Sequence, residues 1–418
     1  MFKLPFFKTE EKVPEFEPNT NYLAMDIGTE VLKSILFTAA EEGVVVSKIS
    51  RLQQQQNAMN KGIITNLSTV LENCRLSITE LTEGLEEKEY PKKVVLGIAG
   101  EFIQGVSIIV NYERDEKFDE EVTIQEQKKI VGKVFEQITE NGKEDLARRT
   151  GLSNEDIEIL HITVTGMEIG GMTVDSLVGF KGKNVKLFFY ASFAPKTFID
   201  SLRKLTHSLE MELIGIVSQP FAVARAFGNS QSKEFSGIFV DIGGGTTDVA
   251  VVVRGNILDT QMFGFGGRVF TKEIARLMNL DYRHAEARKI KYTEGSLDRK
   301  IQVEVKTICY NIAEIWIKNL AAAFEMCEDI DQFPTQIYLC GGGSLLPEIK
   351  TVLLEFPWTR LLPFSTIPKI SIITPEKLEK VTDPKNLLKF TYDVTPASLS
   401  KFAYDKIRNP ENYYNEIK

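Results

Sequence analysis

Residues 239–252, FVDIGGGTTDVAVV, constrain this chain more than any other stretch. Two short runs rich in β-branched residues, 237–240 and 249–253, flank its centre and predict buried strands. Between them lie three glycines and two threonines, bracketed by Asp241 and Asp248. Glycine tolerates φ > 0 and lets backbone approach a bulky anion. Gly243, Gly244 and Gly245 therefore predict a turn whose successive N–H groups cradle phosphate. The Thr246 and Thr247 hydroxyls add donors, and Asp241, just off a strand end, suits Mg²⁺ held mostly through water. A plain hairpin would need one or two glycines, not three followed by Thr-Thr-Asp.

The signal recurs. Residues 22–37, YLAMDIGTEVLKSILF, again read strand, Asp26-Ile27-Gly28-Thr29, strand. A third turn, Gly341-Gly342-Gly343-Ser344, follows the strand-like run 337–340 and precedes a helix opening near Pro347. This ordered trio resembles the actin-like ATPase superfamily. The resemblance implies an α/β fold, actin-like (ribonuclease H-like), with duplicated domains around a nucleotide cleft and ATP with Mg²⁺ as cofactors. Residues 26–29 and 241–247 become the two phosphate loops, and Gly341–Ser344 the turn against the adenosine. Asp26 and Asp241 become the metal carboxylates, with Lys33 beside the phosphates. Gly266-Gly267 match the glycine pair that brings a helix amino end to the nucleotide. Glu286 and Lys289, at i, i+3 spacing, match a pair flanking ribose and adenine, although a surface salt pair has the same spacing. Gln219 stands where relatives place a residue that orients the attacking water; an amide cap ahead of Pro220 is the competing role.

Length and charge fit that reading. A chain of 418 residues supports two to four subdomains. Lys+Arg total 50 against Asp+Glu 58, a net charge of −8 with no basic block, which argues against a nucleic-acid backbone as partner. Cys74, Cys309, Cys327 and Cys340 form no C-x-x-C pair and read as free thiols in a reducing cytoplasm. His161, His207 and His284 lack ligand spacing. No segment is apolar for the ~18 residues that span a bilayer. The amino end, MFKLPFFKTEEK, lacks a signal-peptide pattern, and its Phe2, Leu4, Phe6 and Phe7 suggest either a frayed tail or a short membrane-surface foot.

In chain order, the expected organisation is a flexible segment 1–20, a first actin-like domain in two parts (21–103 and 189–236), an inserted α+β subdomain 104–188, a second actin-like domain 237–395, and a carboxy-terminal helix and tail 396–418. Apolar spacing predicts helices over 57–84, about 124–141 and about 297–327, and a final helix from near Pro396. The insertion resembles the FtsA and PilM branch of the superfamily. Residues 60–66 (NKGIITN), 178–182 (VGFKG) and 218–222 (SQPFA) carry local likenesses, with Val178 where that branch has proline. The DIGGGTTD loop and the Gly62 region lean to FtsA. Lys33, seven residues past Asp26, and a tail without a two-sided basic helix lean to PilM. The resemblance implies a self-associating scaffold, with at most slow ATPase turnover, that docks division or pilus-assembly proteins at the inner face of the cell membrane. The insertion would be its partner-binding surface. A sugar kinase on the same fold would need an acidic base poised over a substrate hydroxyl, and none is recognisable.

Overall fold

The computed structural model describes residues 17, 20–100, 103–114, 118–227, 235–327, 330–409 and 413–414. The amino-terminal aromatic residues singled out above lie outside that set.

The two DIG turns sit at equivalent places in a repeated unit. In the first half, strands Asn21–Ile27, Val31–Ala39 and Val44–Gln53 form an antiparallel meander, and Lys93–Ile98 runs parallel to Asn21–Ile27. In the second half, Gly237–Ile242, Thr247–Val253 and Asn256–Phe263 repeat the meander, and Gln336–Cys340 runs parallel to Gly237–Ile242. The first strands of both units are almost wholly buried, as expected where helices cover both faces of a sheet. Each unit therefore carries its Asp-Ile-Gly at the exit of its first strand.

Expected helix 57–84 begins only at Leu67 and runs to Thr82, with the Asn66 side chain accepting from Thr69 N. Asn57, Lys61 and Gly62 have positive φ, so 59–64 fold back as a two-residue-strand hairpin instead. Gly62 (φ +81) presses on the turn after Lys93–Ile98, where a Cβ would lie 1.8 Å from Ala99 O. The charged helix of the insertion is longer than expected, Ile124–Thr150, and stops at Gly151 in a left-handed conformation.

The insertion joins the second half. Its strands Gln104–Glu113, Asn184–Pro195 and Ile157–Ile169 continue the second half's sheet, because Val106 and Gly105 pair with Asp259 and Thr260. Strand Asn184–Pro195 passes Phe188, and Tyr190 joins the main core, stacked 4.5 Å from Phe221. The final helix, Val394–Arg408, starts two residues before Pro396. It is buried almost all round, in a core shared by Tyr22, Phe37, Phe221 and Phe239 from both halves. A helix enclosed on every side has no polar face, which explains why its sequence shows no two-sided pattern. Gly97 leaves room for it: a Cβ there would meet Leu399 Cδ1 at 2.2 Å.

His161 on strand Ile157–Ile169 lies in the same core, with ring centroids 4.6 Å from Phe221 and 5.7 Å from Phe402. Nδ1 pairs with Ser192 Oγ at 2.8 Å, while Nε2 has no partner among the described residues. Burial, and then Lys406 nearby, push its pKa down to about 3. Below about 6.5 the unfolded chain takes up a proton that the folded one refuses, so stability is lost as pH falls through that value. We expect a loss of about 2 kcal/mol between pH 7 and 5 that His161→Gln does not show. Equal pH slopes for the two proteins in urea unfolding would contradict this.

Candidate functional site

The three glycine turns converge on one cavity of about 590 Å³ between the halves, within the size range of nucleotide-sized ligand pockets. Asp26, at the end of the first strand, is bracketed: Lys33 Nζ lies 2.5 Å from Oδ2, and Gln219 Nε2 donates to Oδ1 at 2.6 Å. Gln219 opens helix Gln219–Phe227 and lines the cavity, so its amide faces Asp26. Across the floor, Asp241 accepts from Thr395 Oγ1 at 2.5 Å. Asp248 follows on the next strand, nearly fully buried; its Oδ2 accepts from Thr246 Oγ1 at 3.1 Å, and its Oδ1 has no partner among the described residues.

The electrostatics match this crowding. Burial, then the Asp241 charge, push the Asp248 pKa well above the carboxylate range. Asp241 is also raised by burial, with Lys33 opposing. Burial disfavours charge on Lys33, but Asp26 and Asp241 together outweigh it and raise its pKa. Asp26 and Asp241 thus share one ammonium, with Asp248 beside Asp241. Among the described residues, no three acidic, His or Cys side chains converge tightly enough to hold a bare ion. Mg²⁺ in such a site takes one or two carboxylates, water and phosphate oxygens.

The glycines serve closeness rather than unusual φ. None of Gly243, Gly244 and Gly245 has positive φ, which corrects that part of the expectation. A Cβ on Gly244 would lie 2.4 Å from Glu30 Cγ, and one on Gly245 would lie 2.6 Å from Thr29 Oγ1, so the two loops touch. The amides of Gly244 and Gly245 form no hydrogen bond among the described residues. Gly341 alone in the set takes φ +80.

Most of the expected residues line this cavity: Asp26, Gly28, Thr29, Lys33, Gln219, Asp241, Gly243, Gly244, Gly245, Thr246, Gly267, Glu286, Lys289, Gly341, Gly342 and Gly343. Three do not. Thr247 points to the opposite face of its strand, donating to Phe265 O at 2.6 Å and accepting from Trp316 Nε1 at 3.0 Å. The Ser344 hydroxyl turns back to Gly341 O at 2.7 Å. Gly266 packs on the second loop, where a Cβ would lie 2.5 Å from Gly243 O. The first amides of helix Gly267–Leu277 donate to that loop: Gly267 N to Gly243 O and Arg268 N to Gly244 O. They brace the loop instead of facing the cavity.

Glu286 and Lys289 form an ion pair at 2.9 Å, and Lys289 Nζ also donates to Thr271 Oγ1 at 2.8 Å and to Gly267 O at 3.1 Å. The salt-pair alternative is therefore present, and the pair stands on the cavity wall. Residues not anticipated also line the cavity, among them Glu30, Asp248, Arg51, Phe390 and Tyr392. Asp248 had a signal, since strand alternation puts it on the same face as Thr246. Arg51 is held by both oxygens of fully buried Asp393, at 2.7 and 2.8 Å, a contact spanning 342 residues with no local signature.

Residues 238–387 match the family model described as cell division protein FtsA. Cell division protein FtsA of Enterococcus faecalis is 23% identical over 360 residues, 80% of this chain and 76% of its own. That of Bacillus subtilis is 20% identical over 369 residues, again 80% and 76%. These matches make the chain similar to the FtsA side of the actin-like ATPases. The solved PilM-PilN type IV pilus biogenesis complex aligns over 93% of this chain and 99% of that chain, with TM-score 0.65 at 15% identity. At that identity the likeness shows the actin-like fold. Both curated relatives are described as division proteins, and among the described residues of this chain no helix is long and apolar enough to cross a membrane.

Proposed function

We propose that this protein is an ATP-holding scaffold of bacterial cell division. The observation that carries the reading is the single cavity where two facing phosphate-type loops touch above a floor of Asp26, Asp241 and Lys33. The residues present suit a nucleotide: without a Cβ, Gly244 and Gly245 let the two loops meet, and their amides form no hydrogen bond among the described residues. Asp26 and Asp241 would hold Mg²⁺, and Asp248, with its unpartnered oxygen, would stand close behind. Bound Mg²⁺-ATP would supply the cation that Asp26 and Asp241 favour, and its triphosphate charge would be offset by that cation, by Lys33 and by the loop N–H donors. Glu286, Lys289 and Gly341–Gly343 would border the nucleoside.

Self-association and attachment at the inner membrane face complete the proposal, as the sequence resemblance to FtsA implies. The PilM-like pilus role is the second reading, favoured by the overall structural likeness. Sedimentation with anionic lipid vesicles, with and without Mg²⁺-ATP, tests the scaffold role. ATP-dependent pelleting is expected, and a protein that stays in the supernatant under both conditions counts against it. Because Gln219 holds Asp26 and faces the cavity, Gln219→Ala is expected to keep ATP affinity within about threefold while slowing any hydrolysis at least ~10-fold. Equal turnover in both proteins would reduce Gln219 to a structural amide.

A further inference from the structure

Arg268 belongs to the second half, in the first turn of helix Gly267–Leu277, yet its guanidinium reaches the first half. It donates to the Glu30 carboxylate, to Thr29 O at 3.2 Å and to Met59 O at 3.2 Å. Tyr282, the first residue of helix Tyr282–Thr293, donates to the same Glu30 Oε1 at 3.0 Å. The ion pair is mostly buried, with side chains 19% and 17% exposed. Glu30 directly follows Asp-Ile-Gly-Thr, lines the cavity and packs against Gly244. One carboxylate therefore ties the first phosphate loop to the second loop and to two helices beyond it.

A second ion pair, Arg51 with fully buried Asp393, also spans the chain, but it is anchored beside the enclosed final helix; the remaining ties differ in kind. They include the ladder of Asp259 and Thr260 with Val106 and Gly105, and the shared apolar core. Those ties release only if sheet or core comes apart. The Glu30 contact is ionic, stands at the cavity wall, and can part without breaking either.

We infer that Arg268 and Tyr282 are positioning residues that hold Glu30, and with it the first phosphate loop, closed on the second. Nucleotide enters and leaves when this three-way contact parts. The inference rests on the ATP reading above. Neither residue lines the cavity, so both act through Glu30.

The test is stopped-flow release of fluorescent N-methylanthraniloyl-ATP from the full chain, chased with unlabelled ATP. Glu30→Gln and Arg268→Gln are each expected to speed release at least ~10-fold and to speed association too, because breaking either partner opens the same contact. The double variant is expected to be no faster than the faster single one, as for residues that act as one unit. Tyr282→Phe should give a smaller rise of about threefold. A merely structural role would lower the melting temperature and slow association. Release within twofold of wild type in both single variants overturns the inference.

If wild type binds no labelled ATP, the ATP reading fails and a distance measurement decides the contact by itself. Spin labels at exposed Glu72→Cys and Lys272→Cys, in a Cys327→Ser background that leaves three buried thiols, report the separation of the halves. Arg268→Gln should lengthen or broaden the distance in the ligand-free protein. An unchanged distribution overturns the inference.

Discussion

Gly244→Val is expected to abolish ATP binding, by at least ~100-fold, or about 2.7 kcal/mol. The cause is contact between loops. A Cβ at this position would lie 2.4 Å from Glu30 Cγ and 2.8 Å from Glu30 Cβ. These atoms sit near the root of a side chain whose carboxylate is held by Arg268 and Tyr282, so Glu30 has little freedom to yield. Valine adds two methyl groups beyond that Cβ and forces the phosphate loops apart. The donors of Gly244 and Gly245 then lose their position relative to Lys33 and Asp26 across the cavity. Because Gly244 has ordinary φ, the loop itself stays unstrained, and thermal unfolding is expected to shift far less than binding. Calorimetry showing ATP affinity within threefold of wild type would contradict the placement of phosphate here.

Gly341→Ala is expected to act on stability as well as on binding. Gly341 has φ +80, which L-residues rarely adopt, and a Cβ there would fall 2.1 Å from Asp241 Oδ1 and 2.5 Å from Ile242 O. One obstacle is backbone and the other is a buried carboxylate anchored by Thr395, so neither yields cheaply. Strain at positive φ and overpacking each cost about 1–3 kcal/mol, so a loss of about 3 kcal/mol is expected in urea unfolding. The same displacement moves Asp241 away from its metal-binding position, so Mg²⁺-dependent ATP affinity should fall in parallel. A variant with wild-type unfolding midpoint would show that the turn accommodates a methyl group and that Asp241 is not packed as described.

The fold was legible where sequence pattern and burial agree. The β-branched runs around Asp26 and Asp241 are buried strands on both sides of each turn, and nothing else fits such runs punctuated by Asp-Ile-Gly. The start of the first helix was misread because apolar spacing continued through Asn57–Ile64. The Lys61-Gly62 pair, a turn signal in its own right, reverses the chain there. The final helix gave no amphipathic signal because its partners surround it.

The site was legible in its loops and not in its couplings. Thr246 and Thr247 are adjacent and chemically alike, and only the strand's alternation sends one to the cavity and the other to Trp316. Glu30 and Arg268 lie 238 positions apart, as do other contacts made between halves, so no local pattern links them. The pairing of the insertion with the second half's sheet rests on two residue pairs of similarly long range.

The central claim is that one nucleotide lies in the cleft between the halves, with its base beside helix Tyr282–Thr293 and the Gly341 turn. Photo-crosslinking with 8-azido-ATP, followed by peptide mapping, tests this most directly. Saturable labelling confined to residues 286–294 and 341–346, suppressed by excess ATP and lost in Gly244→Val, is the expected result. Labelling that does not saturate, or adducts that map elsewhere on the chain, would contradict it.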